Sequence, residues 1–320
     1  MTYAITMVTY NSDTFLSDAL ERCWSVSLPP AAVIVVDNAS SDSTLQIIKD
    51  QQQWHPTLIL LRNLTNLGFA RGQNQAIQLA SRKGVDCVLL LNPDVLLEPD
   101  YPRFLLQCLE RHPQAGSAMG KLLRLQTTSS SLKEVIDSTG ITLGRSLAMT
   151  DRGAGELDRG QFELEQEVFG GSGAATLYRA SALNDIILEG MVFDESFGSY
   201  KEDVDVAWRL RWRGWEHWYQ PDAVSYHYRS HQGGPFRQAL QQRSQRTGAT
   251  RRLSFANQYR LIVRNVPLGL LLRYSPWIAV REIAKWMYCV VREPKTLFGI
   301  IDVIKSFRVL LRQRGIIRSR

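Results

Sequence analysis

Several features that identify common protein classes are missing from this chain of 320 residues. Its four cysteines form no CxxC pair and no other short spacing, which argues against a disulfide scaffold or a zinc finger and favours a reducing cytoplasm. No basic segment precedes the apolar stretch at the N-terminus, so this stretch is predicted to be a first strand and not a signal peptide. The C-terminal region holds no run of 18 uncharged apolar residues, and no helix there is expected to span a bilayer.

Two glycine-rich nucleotide-binding motifs are also absent. No GxGxxG follows the first predicted strand, which argues against a dinucleotide-binding Rossmann domain, and no GxxxxGK[ST] occurs, which argues against a P-loop enzyme. With 44% hydrophobic and 22% charged residues, the composition is that of an ordinary globular protein. The length fits about two domains, or one large α/β domain with an appendage.

The net charge of +7 is distributed unevenly along the chain. Residues 243–320 contain 17 Lys and Arg against three acidic residues, a net charge of +14, which leaves −7 for the rest of the chain. A basic segment of this kind indicates an anionic partner, either a nucleic acid or an anionic membrane surface.

Short apolar runs alternate with helical patterns in the first half of the chain. Four runs rich in Val, Ile and Leu predict strands that are buried on both faces of a parallel sheet: 4–9, 31–36, 58–61 and 87–91. Helical patterns lie between them, at roughly 14–27, 44–53 and 70–83. This alternation predicts a doubly wound α/β sheet whose ligands bind beyond the C-terminal ends of the strands.

Each of these strands is followed by a polar segment at the predicted ligand-binding edge: TYN at 9–11, DNASSD at 37–42, NLGFARGQN at 66–74 and NPD at 92–94. Taken singly, these segments could be helix caps and turns. Their order and spacing together resemble glycosyltransferase family 2, and the likeness is greatest to its rhamnosyltransferase-like bacterial branch. Two further segments, FGGSGAATLYR at 169–179 and YKEDVDVAWR at 200–209, extend the resemblance over about residues 3–235.

The resemblance implies the GT-A fold of nucleotide-diphospho-sugar transferases, an α/β fold with a mostly parallel central sheet. We expect this domain over residues 1–235, with a nucleotide-binding half at about 1–125 and an acceptor half at 126–235. The implied activity moves a sugar from a nucleotide-diphosphate-sugar donor, a dTDP- or UDP-sugar, to a hydroxyl of a cell-surface glycan or lipid-linked acceptor. By the same resemblance, one direct displacement inverts the anomeric centre.

Polar residues at the strand ends receive donor and metal roles from this resemblance. The diphosphate leaving group gains negative charge, and Mg²⁺ or Mn²⁺ can neutralise it while bound to carboxylate oxygens. Asp94 is the expected metal ligand, whereas Asn92 stands where many relatives have an acid and is expected to hydrogen-bond the donor ribose. Asp37 is expected to accept a hydrogen bond from the pyrimidine ring N–H. Three residues would complete the nucleotide pocket: Thr9, Asn11 and Arg71.

A second acidic cluster, Glu202-Asp203-Val204-Asp205, opens a predicted helix. Acids at a helix N-terminus complement the helix dipole, which explains the cluster without any catalytic role. An acceptor hydroxyl that attacks the anomeric carbon must also lose its proton to a general base, and a carboxylate in a closed site can take it. The second acid of the matching family motif has that role, so Asp203 is the predicted base, and Glu202 is expected to orient the acceptor or the base.

Some relatives place a metal- or diphosphate-binding histidine where His227 and His231 occur in this sequence. We assign this role to His227 rather than His231. Imidazole is a common ligand of first-row transition metals such as Mn²⁺, so the predicted metal site combines Asp94 with His227.

The basic C-terminal region, residues 236–320, is predicted to form amphipathic helices. Within 297–312 the charged residues recur every three or four positions, and apolar residues lie mainly on the other side: Leu297, Ile300, Ile301, Ile304, Phe307 and Leu311. Basic amphipathic helices with Trp and Phe are typical of proteins that lie in the membrane interface, so we expect a cytoplasmic protein on the inner face of the cell membrane. The alternative is packing against the catalytic domain or a second subunit. No nucleic-acid partner is expected, because the apolar faces are too large.

Two other functions remain open at this stage. One is a catalytically silent relative that binds glycans or anchors an assembly at the membrane, against which the presence of Asp94, Asp203 and His227 argues. The other is a sugar nucleotidyltransferase, which would have a basic glycine-rich loop near the first strand, and this loop is missing.

Overall fold

The computed structural model of the chain describes residues 1–125, 134–228 and 247–319. Its strands are β1 Tyr3–Thr9, β2 Ala32–Asp37, β3 Leu58–Arg62, β4 Cys87–Leu91, β5 Val95–Leu97, β6 Ala115–Arg124, β7 Ile136–Ser138, β8 Ile141–Leu143, β9 Met149–Asp151, β10 Gln166–Val168, β11 Ala175–Arg179 and β12 Glu216–His227. Its α-helices are α1 Asp13–Trp24, α2 Thr44–Trp54, α3 Phe69–Arg82, α4 Tyr101–Arg111, α5 Ala180–Asp185, α6 Glu202–Trp212, α7 Gly248–Asn265, α8 Leu268–Arg273, α9 Ser275–Arg292 and α10 Gly299–Ser319.

The central sheet has the strand order β10-β12-β6-β11-β4-β1-β2-β3, with β5 paired to β12 and β7 paired to β6. Strands β4, β1, β2 and β3 run parallel, β11 is antiparallel to both β4 and β6, and β12 is parallel to β6. Thr9 lies opposite Asp37, and Asp37 lies opposite Arg62, so the first three strands end at one edge. The predicted α/β fold with a mostly parallel sheet is confirmed, and the four predicted strands match β1 to β4 within one residue at each end.

Both faces of the sheet are covered by helices. Along β2, Val33 and Val35 belong to the core cluster on one face, whereas Ile34 belongs to the cluster on the other face. Helices α1, α2 and α4 cover the first face, and α3, α5 and α6 cover the second. Gly72 allows α3 to lie close to β1, because a Cβ there would be only 2.8 Å from a methyl group of Val8. This close approach brings the N-terminus of α3 to the end of β1.

The C-terminal helices pack on the half of the chain that follows β6. Leu261 of α7 and Val266 share a hydrophobic cluster with Phe197, with Trp208 of α6 and with Ile141 of β8. The alternative in which part of this region packs against the catalytic domain is therefore observed. The predicted boundary at 235/236 lies outside the described residues, and the boundary at 125/126 adjoins the undescribed residues 126–133.

Helix α10 buries a different face from the one that its charge spacing suggested. Val303, Leu310 and Ile317 are buried, and Val303 and Leu310 pack against residues of α7. Ile304 and Leu311, which belong to the predicted apolar side, are 68% and 46% exposed. The predicted apolar side thus faces largely outward, because α10 packs against α7 through Val303 and Leu310, which do not belong to that predicted side.

An exposed apolar stripe also runs along α9. Val280, Ile283, Met287 and Val291 recur at helical spacing and are between 61% and 76% exposed. The charged residues lie on the other side, where Lys285 pairs with Glu282 and lies over the ring of Tyr259 of α7, with the nitrogen 4.3 Å from the ring centre. Among the described residues, no helix is long and apolar enough to cross a membrane.

A buried ionic cluster joins α6 to α7. The Asp205 carboxylate accepts a hydrogen bond from Arg209 Nε at 2.9 Å and one from Asn265 Nδ2 at 2.7 Å, and it pairs with Arg264. Arg264 also donates to Asp194 and, at 3.0 Å, to Gln313 of α10. The Asp205 and Arg264 side chains are at most 1% exposed, so each depends on the other for compensation of its charge.

Replacing Asp205 by alanine should lower the free energy of unfolding by about 3–5 kcal/mol, because two guanidinium groups would lose their buried partner. Chemical denaturation followed by circular dichroism measures this loss. The matched control is Asp302→Ala, which removes an ion pair to Arg252 that also joins α10 to α7 but is exposed to solvent. The control should change stability little. Equal effects of the two changes would contradict this account.

Candidate active site

Two adjoining cavities open at the edge of the sheet where β1 and β4 end. The large cavity, of about 450 Å³, lies beside residues 8–12, 66–69 and 92–94. The small cavity, of about 340 Å³, lies beside residues 172–174 and 199–203. Three residues line both cavities and form their junction: Phe69, Asn92 and Ser199. A molecule in one cavity therefore lies next to a molecule in the other.

Four of the predicted donor residues line the large cavity: Thr9, Asn11, Asn92 and Asp94. Asn11 has a φ of 49°, in the left-handed region that asparagine tolerates, and its Oδ1 accepts a hydrogen bond from the backbone N–H of Ser41 at 2.9 Å. Asn38 also lines the cavity, and its side chain donates to the carbonyl of Gly68 at 3.1 Å. These contacts tie together the loops that follow β1, β2 and β3.

The other two predicted donor residues, Asp37 and Arg71, are not among the residues that line either cavity in the described ranges. Asp37 is fully buried, and its carboxylate accepts hydrogen bonds from Thr9 Oγ1 at 3.2 Å and from the Ser40 N–H at 3.1 Å. The Arg71 side chain is 51% exposed and lies 3.7 Å from Glu195. Asp37 shapes the loop after β2 here, and the nucleotide-binding roles of both residues stay predictions.

The structure brings the predicted metal ligands together. His227 Nε2 lies 3.2 Å from an oxygen of Asp94, although the two residues are 133 positions apart in the chain. On its other side, His227 Nδ1 lies 2.8 Å from an oxygen of Asp137, which is fully buried on β7. A carboxylate at Nδ1 fixes the ring orientation and leaves Nε2 directed at Asp94, which is the arrangement common for metal-binding histidines.

The carboxylates also change the protonation of His227. Burial alone would lower the pKa of His227, but the hydrogen bonds to Asp137 and Asp94 and the charges of both acids raise it to about 9. Without a metal, the imidazole therefore carries a proton at neutral pH. The donor set of carboxylate oxygen and imidazole nitrogen fits a divalent cation such as Mn²⁺, which would have to displace this proton.

Glu202 and Asp203 lie at the first turn of α6 and line the small cavity. Asp203 accepts hydrogen bonds from the backbone N–H groups of Gly173 at 3.1 Å and Val204 at 2.8 Å. Burial raises the pKa of Asp203, and these two hydrogen bonds oppose the rise. Burial and the neighbouring Asp203 charge raise the pKa of Glu202 to about 8, and Glu202 Oε2 has no hydrogen-bond partner in the described part of the chain.

Some residues of the site were not predicted. Asp137 lies in a polar stretch of the chain, and its contact with His227 spans 90 positions, so no local pattern identified it. Ser199, Tyr200 and Lys201 line the small cavity and immediately precede the predicted acids. Tyr200 and Lys201 belong to the motif YKEDVDVAWR that carried the family resemblance, but no role was assigned to them. His231, the histidine not chosen for the metal site, lies outside the described residues.

A second group of possible metal ligands occurs among the described residues, consisting of Cys108, His112 and Glu165. Glu165 already accepts hydrogen bonds from Arg111, from His112 at 2.6 Å and from Gln220 at 2.6 Å. Burial raises the pKa of the Cys108 thiol to about 12, so this group is a poor source of thiolate. This arrangement is an ion-pair cluster and gives no sign of a metal centre.

Comparison with known proteins relates the chain to glycosyl transferases. The family model described as glycosyl transferase family 2 matches residues 4–187. A curated relative, the N-acetylglucosaminyl-diphospho-decaprenol L-rhamnosyltransferase of Mycobacterium tuberculosis, is 29% identical over 254 residues, which are 72% of this chain and 77% of the relative. This relative supports the resemblance to the rhamnosyltransferase-like branch.

Two solved structures share the fold. The mannosyltransferase PcManGT from Pyrobaculum calidifontis, in complex with GDP-Man and Mn²⁺, superimposes with a TM-score of 0.56 at 15% identity, over 98% of this chain and 84% of that one. GalNAc-T7 with UDP, GalNAc and Mn²⁺ superimposes with a TM-score of 0.61 at 11% identity, over 82% of this chain and 48% of that one. Both are glycosyltransferases, and the predicted GT-A fold is confirmed.

The affinity of the protein for Mn²⁺ should rise with pH between about 6.5 and 8.5. Nε2 of His227 can bind a cation only after it loses a proton whose pKa is about 9, so affinity should gain up to ~10-fold per pH unit. Isothermal titration calorimetry with Mn²⁺ alone measures the dependence.

Two variants provide the controls for this measurement. His227→Gln should bind Mn²⁺ more weakly and show a flatter pH profile, because the titrating ligand is gone. Asp94→Ala should bind it more weakly still, because a formal negative charge is lost from the site. A wild-type affinity that is independent of pH, or an Asp94→Ala variant with unchanged affinity, would contradict the metal assignment.

Proposed function

The chain belongs to glycosyl transferase family 2, and we propose that it transfers a sugar from a dTDP- or UDP-sugar to a hydroxyl of a lipid-linked or cell-surface glycan. The observation that carries the proposal is the junction of the two cavities at Asn92. The large cavity contains Asp94 and is assigned to the donor, and the small cavity contains Asp203 and is assigned to the acceptor. Residues 1–125 then form the nucleotide-binding half and residues 126–235 the acceptor half.

We further propose that the reaction is a single displacement with inversion. In such a reaction the attacking hydroxyl and the departing diphosphate lie on opposite sides of the sugar carbon, which suits a base and a leaving-group site in adjoining cavities. Asp203 takes the proton of the acceptor hydroxyl. Its two backbone hydrogen bonds hold the carboxylate in place, and its raised pKa makes it a stronger base than a solvated aspartate.

Glu202 is assigned to orientation of the acceptor. With a pKa of about 8 it keeps its proton at neutral pH, so it can donate a hydrogen bond to an acceptor oxygen. Its Oε2 is buried at the small cavity and has no hydrogen-bond partner among the described residues. A buried polar atom without a partner lowers stability, and a hydrogen bond to a substrate would remove this cost. The two adjacent acids therefore have different roles, one as base and one as hydrogen-bond donor.

Asp94 and His227 are assigned to a divalent cation, Mg²⁺ or Mn²⁺, and Asp137 keeps the His227 ring directed at it. The cation would neutralise the charge that develops on the diphosphate as the sugar leaves. Two structures that share the fold contain Mn²⁺, which supports this assignment. Thr9, Asn11 and Asn92 hold the nucleoside and ribose, with Asp37 and Arg71 as further donor residues by the family resemblance.

A lipid-linked acceptor fits the exposed apolar surface of the C-terminal helices. The Mycobacterium tuberculosis relative is named for a decaprenol-linked acceptor. In this chain, the N-terminal part of α9 contacts the turn between β8 and β9, where Arg145 lies over the ring of Trp277 and Arg281 donates to the Ser146 carbonyl at 3.5 Å. Asp151, at the end of β9, lines the small cavity. The apolar stripe on α9 thus begins near the β8–β9 hairpin, which contributes Asp151 to the small cavity.

We propose that α9 and α10 hold the enzyme peripherally on the anionic inner face of the cell membrane. The apolar stripe of α9 would lie among the lipid headgroups, and the excess of basic residues beyond residue 243 would add an attraction that salt weakens. The position of the lipid surface beside the acceptor cavity would let a lipid-linked sugar reach Asp203.

A thermal-shift screen of nucleotide sugars with Mn²⁺, beginning with dTDP-rhamnose, tests the donor assignment. A donor at 100 times its Kd should stabilise the protein by about 2.7 kcal/mol. The absence of stabilisation by any nucleotide sugar would contradict the assignment of the large cavity.

Asp203→Asn should lower the transfer rate by about 10²- to 10⁴-fold and leave donor affinity unchanged, because only the base is lost. Release of nucleoside diphosphate in the presence of acceptor measures the rate. Glu202→Gln is the matched control, since its amide keeps a hydrogen-bond donor where Glu202 is protonated, and most activity at pH 7 should remain. Wild-type turnover of Asp203→Asn would refute the assignment of the base.

Replacing Val280 and Met287 together by glutamine should weaken flotation with anionic liposomes, because both side chains are exposed on the α9 stripe. High salt should weaken the flotation of the wild-type protein without abolishing it. The control is the pair Trp54→Gln and Leu164→Gln, which removes equally exposed apolar side chains from the catalytic body. Equal flotation of both double variants would argue against membrane binding by α9.

A further inference from the structure

The segment 196–201 connects the two cavities to each other. Ser199 lines both cavities, and Tyr200 and Lys201 line the small one. On the donor side, the carbonyl of Gly198 accepts a hydrogen bond from the backbone N–H of Ala70 at 3.2 Å. At its other end the segment leads directly into Glu202. Its backbone therefore sets the position of the acceptor cavity relative to the donor cavity.

This segment holds an unfavourable backbone conformation. Tyr200 and Lys201 have φ values of 72° and 73°, in the left-handed region, although neither residue is glycine or asparagine. Such a conformation is unfavourable for a residue with a side chain, and it persists only where surrounding contacts stabilise it. Side-chain hydrogen bonds from outside the segment contribute to holding it.

Asn257 of α7 supplies these contacts. Its side chain is fully buried, and its Nδ2 donates to the carbonyls of Phe197 and Tyr200, both at 2.9 Å, and approaches that of Ser199 at 3.3 Å. Its Oδ1 accepts from Arg260, which itself donates to the Ser196 carbonyl at 2.8 Å. The side-chain amide of Asn257 on α7 thus contacts three backbone carbonyls of the segment that lines the proposed acceptor cavity.

We propose that Asn257 is a positioning residue for sugar transfer, and that α7 is part of the catalytic unit and not an appendage to it. The proposal rests on the assignment of the small cavity to the acceptor. Asn257 touches neither cavity, so it acts through the backbone of residues 197–200 on the site where the acceptor hydroxyl meets Asp203. The family match ends at residue 187, well before α7.

The test is the kinetics of Asn257→Ala in the full-length chain, with dTDP-rhamnose as the donor and an N-acetylglucosaminyl-diphospho-lipid as the acceptor, each varied separately. Misplacement of the acceptor should lower kcat/KM for the acceptor by about 10- to 100-fold. The Kd for the donor, measured by calorimetry without acceptor, should stay near the wild-type value, because most residues of the donor cavity lie at the ends of β1, β3 and β4. Thermal unfolding shows whether the variant is folded at the assay temperature.

Gln258→Ala is the matched control, since Gln258 is the next residue, is 3% exposed, and donates to a backbone carbonyl, that of Leu147, at 3.3 Å. It should lose comparable stability and keep its acceptor kinetics much closer to wild type. Should Asn257→Ala not fold, Asn257→Ser retains one donor and allows the same comparison.

Any of three results would overturn the proposal, besides the loss of donor binding given next: acceptor kinetics of a folded Asn257 variant equal to wild type, an equal loss in Gln258→Ala, or failure of both Asn257 variants to fold. A parallel loss of donor binding would likewise show that Asn257 supports the whole fold and not the acceptor site. Failure of the proposed function itself is distinguishable, because wild-type protein would then transfer no sugar.

Discussion

The buried ion pair of Asp205 with Arg264 is the interaction on which the proposed acceptor half depends. Asp205 lies in the same first turn of α6 as Glu202 and Asp203, and its partners Arg264 and Asn265 come from the end of α7. An uncompensated charge at this depth is very unfavourable, so α6 and α7 can be buried only as a pair. Arg264 also donates to Asp194, which precedes the segment 196–201, and to Gln313 of α10. The acids that we propose for catalysis are therefore supported by residues of the C-terminal region.

The same helix turn gives three acids three different environments. Burial would raise the pKa of Asp205, but two guanidinium groups hold it below its usual range, so it remains a structural anion. Among the described residues, Asp203 accepts hydrogen bonds from two backbone N–H groups and from no cationic side chain, and burial raises its pKa. Burial and the neighbouring Asp203 charge raise the pKa of Glu202. The surroundings of each acid, and not its residue type, therefore distinguish the structural anion Asp205 from the proposed base Asp203 and the proposed hydrogen-bond donor Glu202. The sequence EDVD alone cannot tell these roles apart.

The sequence pattern correctly predicted those strands and helices whose run of apolar residues matches the face or faces that they bury in the fold. The runs that became β1 to β4 are buried on both faces, and α3 was predicted at 70–83 and observed at Phe69–Arg82. The pairing of Asp94 with His227 followed from family motifs, and both residues meet in the structure. Asp137 was missed because its contact with His227 depends on the pairing of β7 and β12 with β6, which no local signal specifies. Asn257 was missed for a similar reason, because its partners are backbone carbonyls about 60 positions away.

Amphipathicity likewise did not specify which face of the C-terminal helices would be buried. A helix with one apolar and one charged side can bury either, provided that the charged side finds partners. In α9 the charged side is the one turned to the protein, because Lys285 can pair with Glu282 and lie over the Tyr259 ring. Tyr259 also accepts a hydrogen bond from Trp286 at 2.7 Å. The apolar stripe is thereby left outward, and it lies on a helix fixed to α7, which in turn holds the segment that forms the acceptor cavity. Whatever covers that stripe contacts a helix that packs on α7, and this continuity is the physical reason why our proposal connects lipid contact with delivery of the acceptor.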